Sequence, residues 1–417
     1  MKKHIPIIPV KMSVSIRMAL CLVLAFWGVT AMSAEADDDV RISMLTARAG
    51  ADIYQLEGHT ALRIQTPERG DYVVNWGLFD FDAPNFVYRF VKGETDYMAG
   101  AAPTDRFLRI YAREGRAVVE QQLNLTPEEK ERVIALTDRN LMPENRVYRY
   151  NYVLDNCATR PLAIVEQAIG DTITLGTSAL PAEATATFRD AMRHYHVNYP
   201  WYQFGIDLAL GSGIDRQISQ REMSFAPEAL EVMLASASRP DGTALVGNTD
   251  VLVGREDITA IDGPTPWYLT PMFCACVVCL IAFAVSAGQW RRGRATAAAK
   301  IFDTLFYLVM GLAGCIIVFL VVISVHEATS PNWLLLWLNP LCFIPVVAVW
   351  VKRLEKLLFC YQILNFAFLI VLAVLLAAGV QSANAAFIPL MAADGVRALL
   401  CILTKRNDRC HHANHIR

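Results

Sequence analysis

Residues 150–171 read YNYVLDNCATRPLAIVEQAIGD, and this stretch decides how the rest of the chain is understood. Its first half alternates as a strand does. Its second half spaces Leu162, Ile164, Val165, Ala168 and Ile169 as a packed helix, which Gly170 closes. Cys157 stands at the junction, where the helix begins. The sequence has ten cysteines, and the other nine lie in the N-terminal segment, in apolar runs towards the C-terminus or in the tail. Structural cysteines of exported domains come in pairs, so a solitary one is not half of an internal disulfide. Asp155, Asn156, Thr159 and Arg160 give it polar company, and a helix N-terminus stabilises a thiolate. A reactive thiol follows, with an inert buried cysteine as the alternative.

The flanking sequence places this thiol outside the cytoplasm. Lys2, Lys3, Lys11 and Arg17 precede the uncharged run 18–33 and then Ala34-Glu35-Ala36, the pattern of a secretory signal peptide over residues 1–36. An uncleaved signal anchor is the other reading. The chain is 417 residues long, with 54% hydrophobic residues and a net charge of -2. Near-neutral charge gives no basis for nucleic-acid binding. The apolar excess is concentrated at the ends, and residues 266–404 hold about five runs long enough to span a bilayer. These lie near 267–288, 301–325, 334–351, 357–379 and 385–404. Arg291, Arg292, Arg294 and Lys300 follow the first run, and Lys352, Arg353 and Lys356 the third. Lys405, Arg406 and Arg409 follow the fifth, opening a cytoplasmic tail over 405–417. The opposite loops, HEATSPNW and VQSANA, have no Lys or Arg. Such alternation puts the domain spanning 37–265 on the outer side, and Trp267, Trp333, Trp337, Trp290 and Trp350 fall where an aromatic belt is expected.

Within that domain, RISMLTA, HTALRIQ, DYVVNWGLF, RFLRIYA, AVVEQQLNL and YRYNYVL read as strands. LTPEEKERVIALTDRNL reads as a helix with Thr126 as cap, Pro127 in the first turn and Glu129 closing a capping box. Residues 175–260 are Ala-rich and read as helical pieces. The pattern is α+β.

A thiolate nucleophile works with a base, and the domain offers three histidines. His194 and His196, in MRHYHVNYPW, read as solvated residues of an aromatic surface segment. His59 opens the strand HTALRIQ, where an imidazole can face another element's N-terminus; a histidine there is otherwise structural. Asn75, one strand on, either orients the imidazole or sits beside a turn. Asn156 and the Cys157 amide are oxyanion candidates, and Arg160 a charge partner on the helix surface. Asp207 and Asp215 read as local caps. In the spans, Asp394 and Arg397 lie three apart and invite pairing. Asn339-Pro340 interrupts the third run, and His326, Glu327 and Asn332 crown its outer approach, as lipid-entry or helix-bracing residues.

GHTALRI upstream of DNCATR resembles the circularly permuted papain-like group that includes the NlpC and lecithin:retinol acyltransferase relatives, in which the histidine strand precedes the cysteine helix. Together, GHTALRI, NWGLFDFDAPNFVYRFVKG, YNYVLDNCATR, FGIDLALGSGIDR and HEATSPNWLLLWLNPL resemble the Lnb-type bacterial lipoprotein N-acyltransferases. The resemblance implies a multi-pass protein of the bacterial inner membrane with a periplasmic catalytic domain. Cys157 would be its nucleophile and His59 its base, with Asn75 as the candidate third group. It also implies a phospholipid as acyl donor, a lipidated lipoprotein as acceptor, and no cofactor or metal. Two other readings use the same residues: a membrane-tethered NlpC-type peptidase or amidase acting on the cell wall, and a binding or sensor module with an inert thiol.

Overall fold

The sheet of the exported domain is built from strands whose alternation serves two cores. A computed structural model describes residues 39–177, 186–254 and 265–414, with side chains as far as residue 404; the signal peptide read over 1–36 lies outside them. The elements in chain order are β1 (Arg41–Ala47), β2 (His59–Thr66), β3 (Gly70–Leu78), α1 (Phe86–Lys92), β4 (Asp96–Pro103), α2 (Thr104–Arg113), β5 (Val118–Leu123), α3 (Pro127–Leu141), β6 (Val147–Arg149), α4 (Thr159–Ile169), α5 (Phe188–Tyr195), α6 (Pro200–Ala209), α7 (Pro227–Ala235) and β7 (Val246–Val253). The strands form one antiparallel sheet in the order β6-β4-β3-β2-β1-β5-β7. On one face Ile42, Met44, Leu62, Ile64, Val74 and Trp76 pack with helices α3, α4 and α7. On the other, Leu45, Ala47, Ala61 and Val73 pack with Phe107 of α2. Successive residues of a strand point to opposite faces, so β1 is apolar on both sides, whereas the second face of β2 contributes only Ala61 to a core.

Helix α3 starts as its sequence dictates: Thr126 accepts from the Glu129 amide and the Glu129 carboxylate accepts from the Thr126 amide. RFLRIYA is helix α2 rather than a strand. Its polar residues group on one face and Phe107 on the other, a helical spacing that its short alternating appearance hides. Strands β4 and β7 were not read from the sequence. DYMAGAAP is small-residue rich, and β7 is an edge strand with mostly exposed side chains.

The membrane domain contains α8 (Pro271–Arg292), α9 (Ala297–Val322), α10 (Phe343–Ala348), α11 (Glu355–Ala377) and α12 (Phe387–Asn414). Among the described residues four helices are long and apolar enough to cross a membrane, and Trp333–Ala348 is a shorter apolar helical segment. The expected third span is therefore not a continuous helix. Asn339 caps a new turn by accepting from the Leu341 amide, Pro340 has no amide to donate backwards, and the chain breaks there. Gly314 of α9 permits the break to pack closely, since a Cβ there would lie 2.5 Å from Asn339 Cα. Trp337 is buried in this core instead of sitting in an aromatic belt. Helix α12 runs on to Asn414, past the expected start of the cytoplasmic tail at 405.

The exported domain is seated on the two loops that lack Lys and Arg. Arg193 donates to Ser382 Oγ at 2.8 Å, Asn384 to Asp207 at 2.9 Å and Asn332 to Leu208 O at 3.0 Å. The Val325 amide donates to Lys92 O at 2.9 Å. The basic loops lie at the opposite ends of the helices, so the charge asymmetry and the docking agree on which side is outside.

Candidate active site

His59 is the first residue of β2, opposite Ala47 of β1, and Asn75 of β3 pairs with Ala61, so both side chains rise from one face of the sheet. His59 Nε2 donates to Asn75 Oδ1 at 3.1 Å. That leaves the other ring nitrogen for Cys157, with which the imidazole shares both a hydrogen bond and a charge interaction. Cys157 lies two residues before α4 and is 8% exposed. Tyr150 presents its hydroxyl 3.8 Å from the sulfur, and the Thr60 amide also donates to it. The backbone makes room for this convergence at Gly77. There β3 bulges between Asn75 and Leu78, φ is +85°, and an added Cβ would meet the Tyr150 ring at 3.0 Å and Cys157 Cβ at 3.8 Å.

The electrostatics follow from burial against pairing. Burial by itself would raise the Cys157 thiol. The charge and hydrogen bond of His59, with the Thr60 amide and the Tyr150 hydroxyl, outweigh it and hold the thiol below its ordinary value. Burial would likewise lower His59, but Cys157 and Asn75 outweigh it and the imidazole is raised. Each group favours the charged form of the other. A thiolate beside an imidazolium is the reactive state of a cysteine nucleophile. Burial, the Cys157 charge and the hydrogen bond to its sulfur raise Tyr150, which therefore stays a neutral hydrogen-bond donor.

Residues 33–193 match the Lnb N-terminal periplasmic domain, and residues 264–408 match the Lnb transmembrane domain. The chain belongs to the Lnb family. This supports a membrane lipoprotein N-acyltransferase, in a multi-pass protein with a periplasmic domain. No curated protein and no solved structure matches it.

In this Lnb chain the remaining sequence candidates stand apart from the sulfur or are already engaged. Asn156 donates its amide hydrogens to Tyr152 O at 2.7 Å and Phe225 O at 2.8 Å. Its oxygen accepts from the Ala158 and Thr159 amides, which makes it a loop clamp and not an oxyanion donor. Arg160 grips Asp155 through two bonds of 2.5 and 2.7 Å and lies 3.4 Å over the Tyr148 ring. His326 hydrogen-bonds Phe90 O, Asn332 caps the segment at Leu334, and Asn339 caps at Leu341, all as braces. Arg397 does not pair with Asp394. It binds Asp303 of α9 through 2.6 and 2.7 Å bonds, whereas Asp394 accepts from Tyr307 and Asn365. Asp207 and Asp215 are more than caps, since both bind the fully buried Arg189.

His196 is buried, contrary to the surface reading. Its Nε2 meets Glu57 at 2.7 Å and its Nδ1 meets Gln203 at 2.8 Å, while the Tyr152 hydroxyl donates to the same Glu57 oxygen. Sequence reasoning passed over Tyr150, Gly77 and this Glu57 network. Tyr150 and Tyr152 stood in the opening stretch, one on either side of a residue pointing the other way, and that alternation was the available signal. Among the described residues no group of three or more His, Cys, Asp or Glu side chains could hold a metal ion.

Proposed function

We propose that Cys157 carries an acyl chain from a membrane phospholipid to the N-terminal amine of a lipoprotein's lipidated cysteine, in the outer face of the inner membrane. The observation that carries this reading is His59 held between Asn75 and the Cys157 sulfur, in a domain seated on membrane-spanning helices. The order of a histidine strand before a cysteine helix supports a permuted papain-like arrangement. The thiolate attacks the ester carbonyl, and the Cys157 amide and the Tyr150 hydroxyl donate to the developing oxyanion. As the tetrahedral species collapses, the C–O bond breaks and the His59 imidazolium gives its proton to the departing lysophospholipid alkoxide. The acceptor amine then attacks the thioester, and neutral His59 takes up its proton. The C–S bond breaks, the amide forms, and the thiolate–imidazolium pair is restored. Asn75 keeps the ring turned towards the sulfur through both steps.

Binding both substrates in the bilayer explains why such a thiol domain is joined to spanning helices; a cell-wall peptidase acting on soluble fragments has no such need. The test is mass spectrometry of lipoprotein N-termini from cells carrying the native chain or Cys157→Ser, alongside the intact mass of the purified protein incubated with phospholipid. The expected result is an amide-linked acyl chain that disappears with the substitution, and a hydroxylamine-sensitive acyl adduct on native Cys157. Normal N-acylation in Cys157→Ser cells lacking any other copy rules the reading out.

A further inference from the structure

Helix α1 buries none of its residues: Val87 is 72% exposed, Tyr88 54% and Phe90 45%. An apolar surface of this kind marks a contact surface when it is contiguous, and here it has a defined location. The end of α1 is stapled to the outer end of α9. Besides the bond from Val325 to Lys92, Ser324 Oγ donates to Val91 O at 3.0 Å, His326 Nε2 donates to Phe90 O at 2.8 Å, and the Tyr88 ring lies 6.0 Å from Phe319 of α9. Gly93 permits the approach, since a Cβ there would lie 2.9 Å from Val325 Cγ2. The helix thus rests against the outer end of the spanning helix α9.

From this point an unbroken line of rings leads to the nucleophile. Phe90 lies 5.8 Å from Phe86, Phe86 5.7 Å from Phe79, and Phe81 packs against both Phe86 and Phe79 at 5.2 and 4.6 Å. Phe79 lies 5.3 Å from Tyr97, and Tyr97 stacks at 4.5 Å on Tyr150, whose hydroxyl faces the Cys157 sulfur. The cations of α1 are matched locally, Arg89 by Asp96 and Lys92 by Glu94, each at 2.7 Å. The two cations of α1 itself are therefore matched by carboxylates, while Arg149 at its C-terminal end donates to Gly93 O.

We infer that this aromatic line is the docking surface for one acyl chain of a membrane phospholipid, leading from the outer leaflet at α1 to the thiol at Cys157. The inference rests on the acyl-transfer reading above and adds where the donor chain lies. The chain lies along Phe90, Phe86, Phe81 and Phe79, and its ester reaches Tyr150 and Cys157. Continuity with the spanning helix selects a chain from the bilayer over a peptide from solution, which would need backbone partners that the line of rings does not offer.

The experiment uses full-length Cys157→Ser in lipid nanodiscs containing a phosphatidylcholine with a photoreactive diazirine in its acyl chain, and adducts are mapped by peptide mass spectrometry. Adducts on Phe79 and Tyr97 are expected, falling at least fivefold when the exposed Phe81 and Phe90 are both changed to Ser. Adducts confined to Val87 and Tyr88 overturn the inference, because they describe a helix that only dips into the bilayer. Absence of adducts throughout 79–97 overturns it too. The acyl adduct on native Cys157, read in the same nanodiscs, separates this result from the mechanism. An acylated Cys157 without adducts at Phe79 or Tyr97 removes the docking surface alone. Those adducts beside an unacylated Cys157 remove the thioester and leave the surface. In the otherwise native chain, the Phe81→Ser and Phe90→Ser pair should also slow acylation from long-chain phospholipid at least tenfold while alkylation by iodoacetamide stays within twofold. Equal slowing of both reactions points to damaged folding and overturns the kinetic part of the claim.

Discussion

Two hydrogen-bonded imidazoles stand in the exported domain, His196 fully buried and His59 part-buried, and their partners differ in kind. His59 is held by a neutral amide on one side and faces a sulfur on the other; His196 is held by Gln203 and faces the carboxylate of Glu57. Both rings have polar partners on two sides, so the number of hydrogen bonds does not distinguish them. The partner does. A carboxylate beside an imidazole makes a fixed brace, because neither group is a competent nucleophile in that pairing. A thiol beside an imidazole makes a pair whose proton can move and whose sulfur can attack. The two networks are also joined through the chain. Glu57 lies two residues before His59, and Tyr152, which donates to Glu57, lies two residues after Tyr150. The brace thereby fixes the two loops that bring imidazole and sulfur together.

The sharpest way to break this comparison is His59→Ala. Removing a positioned base and acid should cost about 10²–10⁴-fold in acyl transfer, read as turnover of phospholipid in proteoliposomes. The pH dependence carries the diagnostic sign. In the native chain the alkylation rate of Cys157 should rise through an inflection below about 8.5, the ordinary value for a thiol, because its pairing with His59 outweighs burial. Without the imidazole the burial effect prevails, and the inflection should move above that value. Acyl transfer itself should fall at the alkaline side as His59, raised above its ordinary value, loses the proton needed by the leaving group. An alkylation profile that is unchanged by the substitution means the two residues do not act as partners.

Glu57→Gln tests the brace and should have the smaller kinetic effect. The shape is kept, Tyr152 can still donate to the amide oxygen, and His196 loses a charged partner. Hydrogen bonds to charged groups contribute about 1.5–3 kcal/mol, so the thermal midpoint of the purified protein should fall by several degrees. Turnover should drop by about tenfold or less, as a modest displacement of the positioned loops. A loss as large as that of His59→Ala, with the thermal midpoint intact, would place Glu57 in the chemistry and dissolve the contrast between the two networks.

The difference between these networks also sets what could be read from the letters. The capped helix α3, the strands carrying His59 and Asn75, and the junction at Cys157 follow local rules of periodicity and capping, and each has a signature within about fifteen residues. His196 carries no such signature, since Glu57 is 139 positions away and only the tertiary fold brings them together. The same holds for Arg189, whose two carboxylates, Asp207 and Asp215, looked like local caps, and for Arg397, which bypasses the residue three positions away for Asp303 on another helix. Helix α2 was hidden for a local reason, because ten residues of mixed polarity can imitate alternation. Tyr150 was missed although it lay in view, as its role depends on the bulge and positive φ at Gly77.

Arg160 gives the finest test of where the reactive network ends. It follows the thiol by three residues, and proximity in sequence makes it a tempting anchor for the thiolate or for a phosphate. Two of its nitrogens are engaged by Asp155, and its guanidinium carbon lies 3.4 Å over the Tyr148 ring, so its charge is matched before it can act on the sulfur. Its side chain is 22% exposed, where such a pair contributes up to about 1 kcal/mol and the ring contact a similar amount. Arg160→Gln should therefore lower stability slightly, change turnover by less than about threefold, and leave the inflection of Cys157 alkylation in place, since the causes that lower that thiol are His59, Thr60 and Tyr150. A shift of that inflection upward would show that the guanidinium reaches the thiolate during turnover, and the boundary between reactive pair and supporting frame would then have to be drawn beyond the first turn of α4.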